Sequence, residues 1–561
     1  MNQPNDHSTD DTLLIAAAAL AGALIAASCL VWLAAQLVML VIEQRLLVHA
    51  SGSVLDVATG LVRHPSEPAK AFAPADTKHL PGGVWLYVLA APLLGGTFMA
   101  ALAAWQFVSD RLPMIGSGRR DERDSRWARP RDLAALTVRP KHAAGRLVLG
   151  KAGRQLIALT GNHSVVVFGP TDSGKTTALV VPALLEHTGA AFVLSTKSDV
   201  LRHTIVQRRR SGPVWVYDPL ELTGHTHASW TPLRACREWP AAKRMAAALT
   251  SAVGDTHDHD GRFWDAMASK MLEALLHAAA LDNRTMRDVV RWVDTQEETE
   301  VATILRTHNA EAALQSWTAS QSREPRTLSN VYASTEMMLR AYSTPGMADC
   351  HIEDSFNPEQ LLNENGTLFV CAPVEDQAVL RPVFAALFAD VYRAAVLRSE
   401  RTGKPLAPSL LLVLDEAANI APIRDLAEIA STCRAYGIQL VTVFQDLAQV
   451  EARYGQRART VINNHTAKLV LPGQSDRELL DLLTRLLGEE AVDQITRSHN
   501  PHGVTTNESI HYRPLAAIHQ LRQLPKGTGI LIYGNYPPTK LTLRPFYDDP
   551  TLRHLADPHA A

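Results

Sequence analysis

Two long apolar runs near the start of the chain differ from the rest of its pattern. Residues 13–42 contain no charged side chain, and neither do residues 81–109. About twenty apolar residues in a helix suffice to cross the hydrocarbon core of a bilayer. The first run is too long for a cleaved signal peptide, and no Lys or Arg precedes it. We therefore predict a transmembrane hairpin over residues 1–110, with a loop at 43–81.

The distribution of positive charge predicts the orientation of this hairpin. Seven arginines lie between residues 111 and 131, whereas the loop 43–81 carries four Lys or Arg. By the positive-inside rule, the loop is external, and both termini and the C-terminal bulk are cytoplasmic. We name residues 111–155 the basic neck. Its arginines either serve topology alone or contact nucleic acid or anionic lipid.

The pattern after the basic neck predicts an α/β fold. A short apolar run at residues 165–168 is followed by similar runs at 191–195, 214–217, 367–371, 410–414, 439–444, 468–471 and 529–533. Most are followed by helical or turn patterns, which is typical of a mostly parallel sheet with helices on both faces. A further run at 540–543 indicates an antiparallel edge hairpin.

The strand pattern is interrupted between about residues 232 and 366, where the sequence predicts helices. Trp264, Met267, Met271, Leu275 and Ala279 fall at helical spacing, which is typical of a core-facing stripe. We predict a nucleotide-binding domain in two parts, residues 156–235 and 363–545, with an all-helical insertion at 236–362. Residues 546–561 form a short tail that we expect to fray.

Composition excludes several classes of protein. Lys and Arg number 55 against 57 Asp and Glu, so the formal net charge is -2. A globally basic nucleic-acid binder is thereby excluded, and any basic surface must be local. The five cysteines are widely spaced and form no CxxC pair. This spacing argues against a disulfide framework or a zinc site.

The strongest local signal is a phosphate-binding loop. The sequence from Gly169 to Thr176 fits GxxxxGK[ST], follows the apolar run 165–168 and opens a helix. Lys175 should reach the β- and γ-phosphates of ATP, and Thr176 should bind Mg²⁺. The predicted nucleotide-binding residues are Gly169, Pro170, Thr171, Asp172, Ser173, Gly174, Lys175, Thr176 and Thr177.

A second motif supplies two carboxylates. Asp415 and Glu416 follow five consecutive apolar residues, 410–414, which is the pattern of a buried central strand. Carboxylates at such a position are costly unless they face a metal. We expect Asp415 to hold Mg²⁺ and Glu416 to polarise the attacking water, at the tips of adjacent strands. A dedicated base is more typical of an enzyme that turns over repeatedly than of a nucleotide-dependent switch.

These motifs, with several others, resemble the type IV secretion coupling proteins, the TraG/TraD-like conjugal transfer ATPases. The resemblance covers nearly the whole chain. Its further motifs are Leu194-Ser-Thr-Lys-Ser-Asp199, Tyr217-Asp-Pro219, Trp230-Thr-Pro-Leu233, Arg434-Ala-Tyr-Gly-Ile438, Phe444-Gln-Asp446, Ile462-Asn-Asn464 and Tyr533-Gly-Asn535.

The resemblance implies a RecA-like motor that forms a homo-hexameric ring below the bacterial inner membrane. Such proteins use ATP to deliver single-stranded DNA with its relaxase, or sometimes effector proteins, to a type IV secretion channel. Gln445 matches the family's γ-phosphate sensor beside the Asp415 strand, and Arg434 matches an arginine that acts across the subunit interface. Arg457 and Arg459 are rival candidates, and Arg434 can also be an ordinary surface residue.

Three other functions remain open at this point. The motor could carry protein effectors only, which a transfer assay scored separately for plasmid and protein would distinguish. The chain could be an FtsK/HerA-type DNA pump, although two predicted spans are fewer than that class usually has. It could also be a membrane scaffold locked by nucleotide, which the presence of Glu416 and Gln445 argues against.

Overall fold

The computed structural model describes residues 125–557 apart from 140–144, 197, 222, 226, 252–258, 372–375, 421–422 and 501–502, and isolated positions before residue 125. No helix among these residues is both long and apolar enough to span a bilayer. The transmembrane hairpin predicted for residues 1–110 lies outside the described residues, apart from those isolated positions. The fold below belongs to the unit Asp121–Ala561.

Twelve strands of the described residues form one mixed sheet, and two more form a separate hairpin. The strands are β1 (Thr137–Val138), β2 (Val148–Ala152), β3 (Gln155–Ala158), β4 (Val165–Phe168), β5 (Ala191–Ser195), β6 (Val214–Tyr217), β7 (Thr367–Cys371), β8 (Leu410–Leu414), β9 (Ile438–Phe444), β10 (Ala467–Val470), β11 (Glu489–Asn500), β12 (Gly503–Pro514), β13 (Thr528–Tyr533) and β14 (Thr539–Thr542).

The sheet has a parallel half and an antiparallel half. Its order is β1-β3-β2-β14-β13-β10-β4-β9-β8-β5-β7-β6. The strands from β10 to β6 in this order are parallel to one another. The other five continue the sheet antiparallel beyond β10. The α/β class predicted from the alternating pattern is confirmed, and β13 pairs antiparallel with β14 as predicted. The prediction that this hairpin lies at an edge of the sheet is wrong, because β14 also pairs with β2 and β13 also pairs with β10.

The apolar strands are buried on both faces, as parallel sheets require. Along β4, Val166 and Phe168 pack into one hydrophobic cluster, whereas Val165 and Val167 pack into another on the opposite face. All four side chains are at most 1% exposed. The same alternation recurs in β5, so helices cover both faces of the sheet.

Helices occupy most of the connections between the parallel strands. A π-helical turn (Thr176–Val180) leads into the first α-helix, and short 3-10 turns lie at Pro130–Leu133, Pro232–Arg237, Arg340–Ser343 and Gly455–Arg457. The α-helices are α1 (Val181–Glu186), α2 (Asp199–Ser211), α3 (Trp239–Ser251), α4 (His259–Leu281), α5 (Met286–Asp294), α6 (Thr299–Thr307), α7 (Glu311–Gln321), α8 (Pro325–Leu339), α9 (Pro345–Ala348), α10 (Pro358–Asn363), α11 (Gln377–Thr402), α12 (Ala417–Ile420), α13 (Leu426–Tyr436), α14 (Leu447–Tyr454), α15 (Ala458–Asn464), α16 (Arg477–Leu487), α17 (Ile518–Arg522) and α18 (Pro550–Ala556).

The region between β6 and β7 is helical wherever it forms regular structure, from α3 to α10. Its predicted core stripe lies on α4. Met271, Leu275 and Ala279 are 0% exposed, and Trp264 and Met267 are partly buried against the same cluster. This packing explains the helical spacing of these five residues in the sequence.

Two segments are more structured than their composition suggests. Thr137–Val138 and Val148–Ala152 of the basic neck form β1 and β2 of the main sheet. The expectation that residues 546–561 fray is wrong for α18. Leu552 is 0% exposed and packs against Val181 and Leu185 of α1. The buried guanidinium of Arg544 also pairs with Glu186 at 2.9 Å and with Asp549 at 3.2 Å.

Candidate nucleotide-binding site

The phosphate-binding loop follows directly from the buried strand β4. The Gly169 N–H donates to the carbonyl oxygen of Phe444 at 3.0 Å, which joins the loop to β9. A Cβ on Gly169 would lie 2.5 Å from Ser173 Oγ, so the close turn requires glycine. Asp172 and Gly174 have φ angles of +61° and +89°. Left-handed residues within a loop are typical of backbone nests that bind anions.

Lys175 closes this loop from its C-terminal end. Its side chain is only 8% exposed, and Nζ donates to the carbonyl oxygen of Gly169 at 3.2 Å. Thr176 and Thr177 begin the following helix, whose N-terminus carries partial positive charge. With Pro170 and Thr171 at the front of the loop, the predicted nucleotide-binding residues form one continuous strand–loop–helix unit, as this chemistry requires.

Asp415 lies at the carboxyl end of β8 and faces this loop. Its Oδ2 lies 3.5 Å from Thr176 Oγ1 and 3.3 Å from Ser195 Oγ, both of which donate to it. Burial raises the pKa of the Asp415 carboxyl to about 6, and the charge of Glu416 acts in the same direction. Lys175, Ser195 and Thr176 lower that pKa and so favour the ionised form.

The oxygens around Asp415 fit a magnesium ion. The Oδ1 atom of Asp415 is buried and has no hydrogen-bond partner among the described residues. Burying such an atom costs free energy unless a bound ligand supplies the missing interaction. Mg²⁺ is usually held by one or two carboxylates, water and substrate phosphates. Asp415 and Thr176 fit such an ion because a buried carboxylate oxygen, without a partner in the described part of the chain, and a hydroxyl lie next to each other here.

Glu416 follows Asp415 in an uncommon backbone conformation. Its φ is +62°, in the left-handed region that non-glycine residues seldom adopt. The side chain is half-buried. Strained backbone persists where the surrounding structure imposes it, and such residues cluster at functional sites. The strand and the turn that follows it thus place two successive carboxylates at one edge of the sheet.

The structure corrects the expectation that the two motifs follow adjacent strands. β9 lies between β4 and β8, with Phe168 paired to Phe444 on one side and Leu414 paired to Thr442 on the other. Gln445 follows the last residue of β9 and so lies between the phosphate-binding loop and the carboxylates. Its position beside the Asp415 strand is as predicted.

Within one chain, Arg434 lies away from the other predicted site residues. It is exposed in the last turn of α13, just before β9 begins. Its charge lowers the pKa of His163, which precedes β4, although burial is the larger cause. Arg434 therefore lies at the amino ends of the strands, and the seven residues of β9, about 23 Å, separate it from the carboxyl edge. Of its rivals, Arg457 is paired with Glu428, and Arg459 is exposed.

Ser195 is a site residue that was not predicted from the sequence. It is 2% exposed at the carboxyl end of β5, next to β8, where it donates to Asp415. The signal that could have revealed it is a polar residue at the end of a buried apolar strand, which is the same signal that identified Asp415.

Comparison with known proteins identifies related sequences. The family model described as Type IV secretory system Conjugative DNA transfer matches residues 126–560. The conjugal transfer protein TraG of Agrobacterium fabrum (strain C58 / ATCC 33970) is 24% identical over 451 residues, covering 76% of this chain and 66% of that relative. Protein VirD4 of Rhizobium rhizogenes is 22% identical over 410 residues, covering 70% and 60% respectively. The chain thus spans 66% and 60% of the length of these two relatives, which is less than two thirds.

Solved structures share the fold at low sequence identity. The bacterial conjugative coupling protein TrwBdeltaN70, in its unbound monoclinic form, has a TM-score of 0.59 at 18% identity, covering 77% of this chain and 95% of that structure. The plasmid coupling protein TrwB in complex with the non-hydrolysable ATP analogue ADPNP has a TM-score of 0.58 at 17% identity, covering 77% and 96%. A further TrwB structure contains ADP and Mg²⁺ and has a TM-score of 0.53 at 18% identity, covering 77% and 97%.

Proposed function

The chain belongs to the type IV secretory system conjugative DNA transfer family, and from this premise we propose that it is a membrane-anchored ATPase that delivers single-stranded DNA with its relaxase to a type IV secretion channel. The observation that carries the ATPase assignment is the buried Asp415 carboxylate, whose Oδ2 atom accepts from Thr176 of the phosphate-binding loop. Two motifs 239 residues apart therefore meet at one site.

The residues of this site have separable tasks in hydrolysis. The loop from Gly169 to Lys175 would bind the phosphates of ATP, and Lys175 would neutralise charge on them. Thr176 and Asp415 would hold Mg²⁺, which stabilises the charge of the phosphates when it is bound. Glu416 would accept a proton from the attacking water, and Gln445 would contact the γ-phosphate. This choice of ligands is supported by the solved structures of TrwB with an ATP analogue and with ADP and Mg²⁺.

The position of Arg434 supports a ring of identical subunits. The residue is exposed and is separated from its own nucleotide site by the length of β9, so any nucleotide that it contacts would have to be bound to a neighbouring copy. A cation supplied by a neighbour would stabilise the transition state and make hydrolysis depend on assembly. We propose a homo-hexamer, as the resemblance implies.

The membrane assignment rests on the sequence. The uncharged runs 13–42 and 81–109 would anchor the chain in the bacterial inner membrane. The arginines after the second run would keep both termini and the nucleotide site in the cytoplasm. The secretion channel and the relaxase would then be partners of the cytoplasmic ring.

ATP hydrolysis by the purified full chain, with and without single-stranded DNA and over a range of protein concentrations, tests this proposal. We expect turnover per subunit to rise with protein concentration, because Arg434 completes the site of a neighbour. We also expect DNA to stimulate hydrolysis, and salt to weaken that stimulation because the contacts are to the phosphate backbone. Turnover that is independent of both DNA and protein concentration would refute the proposed motor. The absence of turnover would refute the proposed ATPase activity.

A further inference from the structure

The segment Leu471 to Asp476, which connects β10 to α16, contacts both halves of the nucleotide site. On one side, a Cβ on Gly169 would lie 2.9 Å from Leu471 Cδ1, and one on Gly473 would lie 3.3 Å from Pro170 Cγ. The segment therefore packs directly against the phosphate-binding loop. Apart from Leu471, which ends the apolar run 468–471, these residues belong to no pattern named from the sequence.

The same segment holds the backbone of Gln445. Gln474 is only 2% exposed, and its Nε2 donates to the carbonyl oxygen of Gln445 at 3.1 Å. The N–H of Gln445 donates to Oε1 of Gln449 at 3.0 Å. Both backbone groups of Gln445 are thus bound by glutamine side chains, and neither bond uses its own side-chain amide.

Asp476 fixes the helix that follows Gln445. Its Oδ2 accepts from the N–H groups of Leu447 and Ala448 at 2.9 and 3.3 Å, at the start of α14. Its Oδ1 accepts from the N–H groups of Glu478 and Leu479 at 2.9 and 3.2 Å, at the start of α16. A carboxylate at a helix N-terminus satisfies amides that have no partner within the helix. One side chain therefore ties together the starts of two helices.

We propose that residues 471–476 are a positioning loop for the γ-phosphate sensor, in which Gln474 holds Gln445 at a fixed distance from the phosphate-binding loop. This inference rests on the proposed function, because it assumes that Gln445 contacts the γ-phosphate. Gln474 does not touch the substrate and acts through Gln445. Small displacements of a positioned group reduce the rate of the chemical step more than the binding of the ground state.

The test is Gln474→Met, which keeps the length of the buried side chain and removes the hydrogen-bond donor. In the full-length protein, we expect kcat for ATP to fall about tenfold, the effect of about 1.4 kcal/mol, while KM and the affinity for a fluorescent ATP analogue stay within about twofold of wild type. An unchanged kcat, or a loss of nucleotide affinity equal to the loss of kcat, would overturn the inference.

Gln439→Met is the matched control. Gln439 is also buried, and it lies on β9 at the end opposite to Gln445. Its Nε2 donates to Gly145, Asn162 and Ser409. We expect this variant to lose thermal stability and keep the kcat of wild type. An equal fall in kcat in the control would show that Gln474 acts through stability alone. Wild-type protein measured in parallel separates the positioning role from the proposed function. If wild type is active and the kcat of Gln474→Met is unchanged, only the positioning role is refuted. If wild type is inactive, both are refuted.

Discussion

At the scale of single residues, the site combines a buried cation with a buried carboxylate. Lys175 and Asp415 are 8% and 5% exposed, so water screens their charges only weakly. Lys175 favours the ionised form of the Asp415 carboxyl, whose pKa burial would otherwise raise further. Removing either charge should therefore disturb both phosphate and metal binding.

Replacing Lys175 by alanine should lower kcat/KM for ATP by at least about 100-fold, as the loss of one charge-stabilising group does in other enzymes. Phosphate release at saturating Mg²⁺ measures the effect, and membrane insertion should be unchanged. Lys468→Ala is the control, since Lys468 also donates to a backbone carbonyl, that of His465 at 2.8 Å, but at the amino end of β10. Hydrolysis like that of wild type in Lys175→Ala would contradict the site assignment.

Ser195→Ala should raise the Mg²⁺ concentration needed for half-maximal hydrolysis about tenfold, because groups that orient a metal-binding carboxylate contribute 10–100-fold to affinity or activity. A magnesium titration of ATP hydrolysis measures this. Ser164→Ala removes another buried hydroxyl, which donates to Ala430 at 3.0 Å near the amino end of β4, and should leave the magnesium dependence unchanged. Equal magnesium curves for Ser195→Ala and wild type would remove Ser195 from the site.

At the scale of elements, most of the strands that were predicted are largely apolar, and β14, with its alternating burial, is an exception. β4, β5 and β8 are buried along their whole length, so their sequences carry the signal locally. β11 and β12 were not predicted, because they form a separate two-stranded hairpin that is not part of the main sheet and whose polar sequence lacks such a run. The resemblance predicted that β9 lies beside β8, but not that it also lies beside β4, since strand order depends on packing between distant segments.

The docking of α18 gives a prediction at this scale. Leu552→Ala should lower the free energy of unfolding by about 2–5 kcal/mol, the usual cost of truncating a buried leucine. Chemical denaturation followed by tryptophan fluorescence measures the change. Leu555 is only partly buried in the same cluster, so Leu555→Ala should cost less. If the two variants unfold like wild type, α18 contributes nothing to the fold.

At the scale of the whole molecule, stability depends on buried groups far from the nucleotide. His187 is held by the carbonyl oxygens of Ala190 and Ser409, and His465 by that of Val461 and by the hydroxyl of Thr442. Burial is the main reason why the pKa of each imidazole is lowered to about 4. Both side chains are therefore neutral in the folded protein at pH 7.

The contribution of His187 and His465 to the free energy of unfolding should fall as the pH decreases from about 6.5 to about 4. Over this range the unfolded chain binds protons at His187 and His465, whereas the folded chain does not, so protonation favours unfolding. Denaturation curves at several pH values measure the slope. The double variant His187→Gln, His465→Gln should be less stable at pH 8 and should show a shallower slope. An unchanged slope would mean that other groups cause the acid sensitivity.

Strand β9 has a mechanical consequence for the proposed ring. Gln445 follows one end, at the chain's own proposed nucleotide site, and the other end begins four residues after Arg434, which would face the nucleotide of the next copy. A hydrogen-bonded strand in the middle of a sheet is stiff along its axis, so β9 would connect two nucleotide sites rigidly. Contacts with the γ-phosphate at one end would then be coupled to contacts of the arginine at the other, so that the nucleotide sites of neighbouring copies would influence each other.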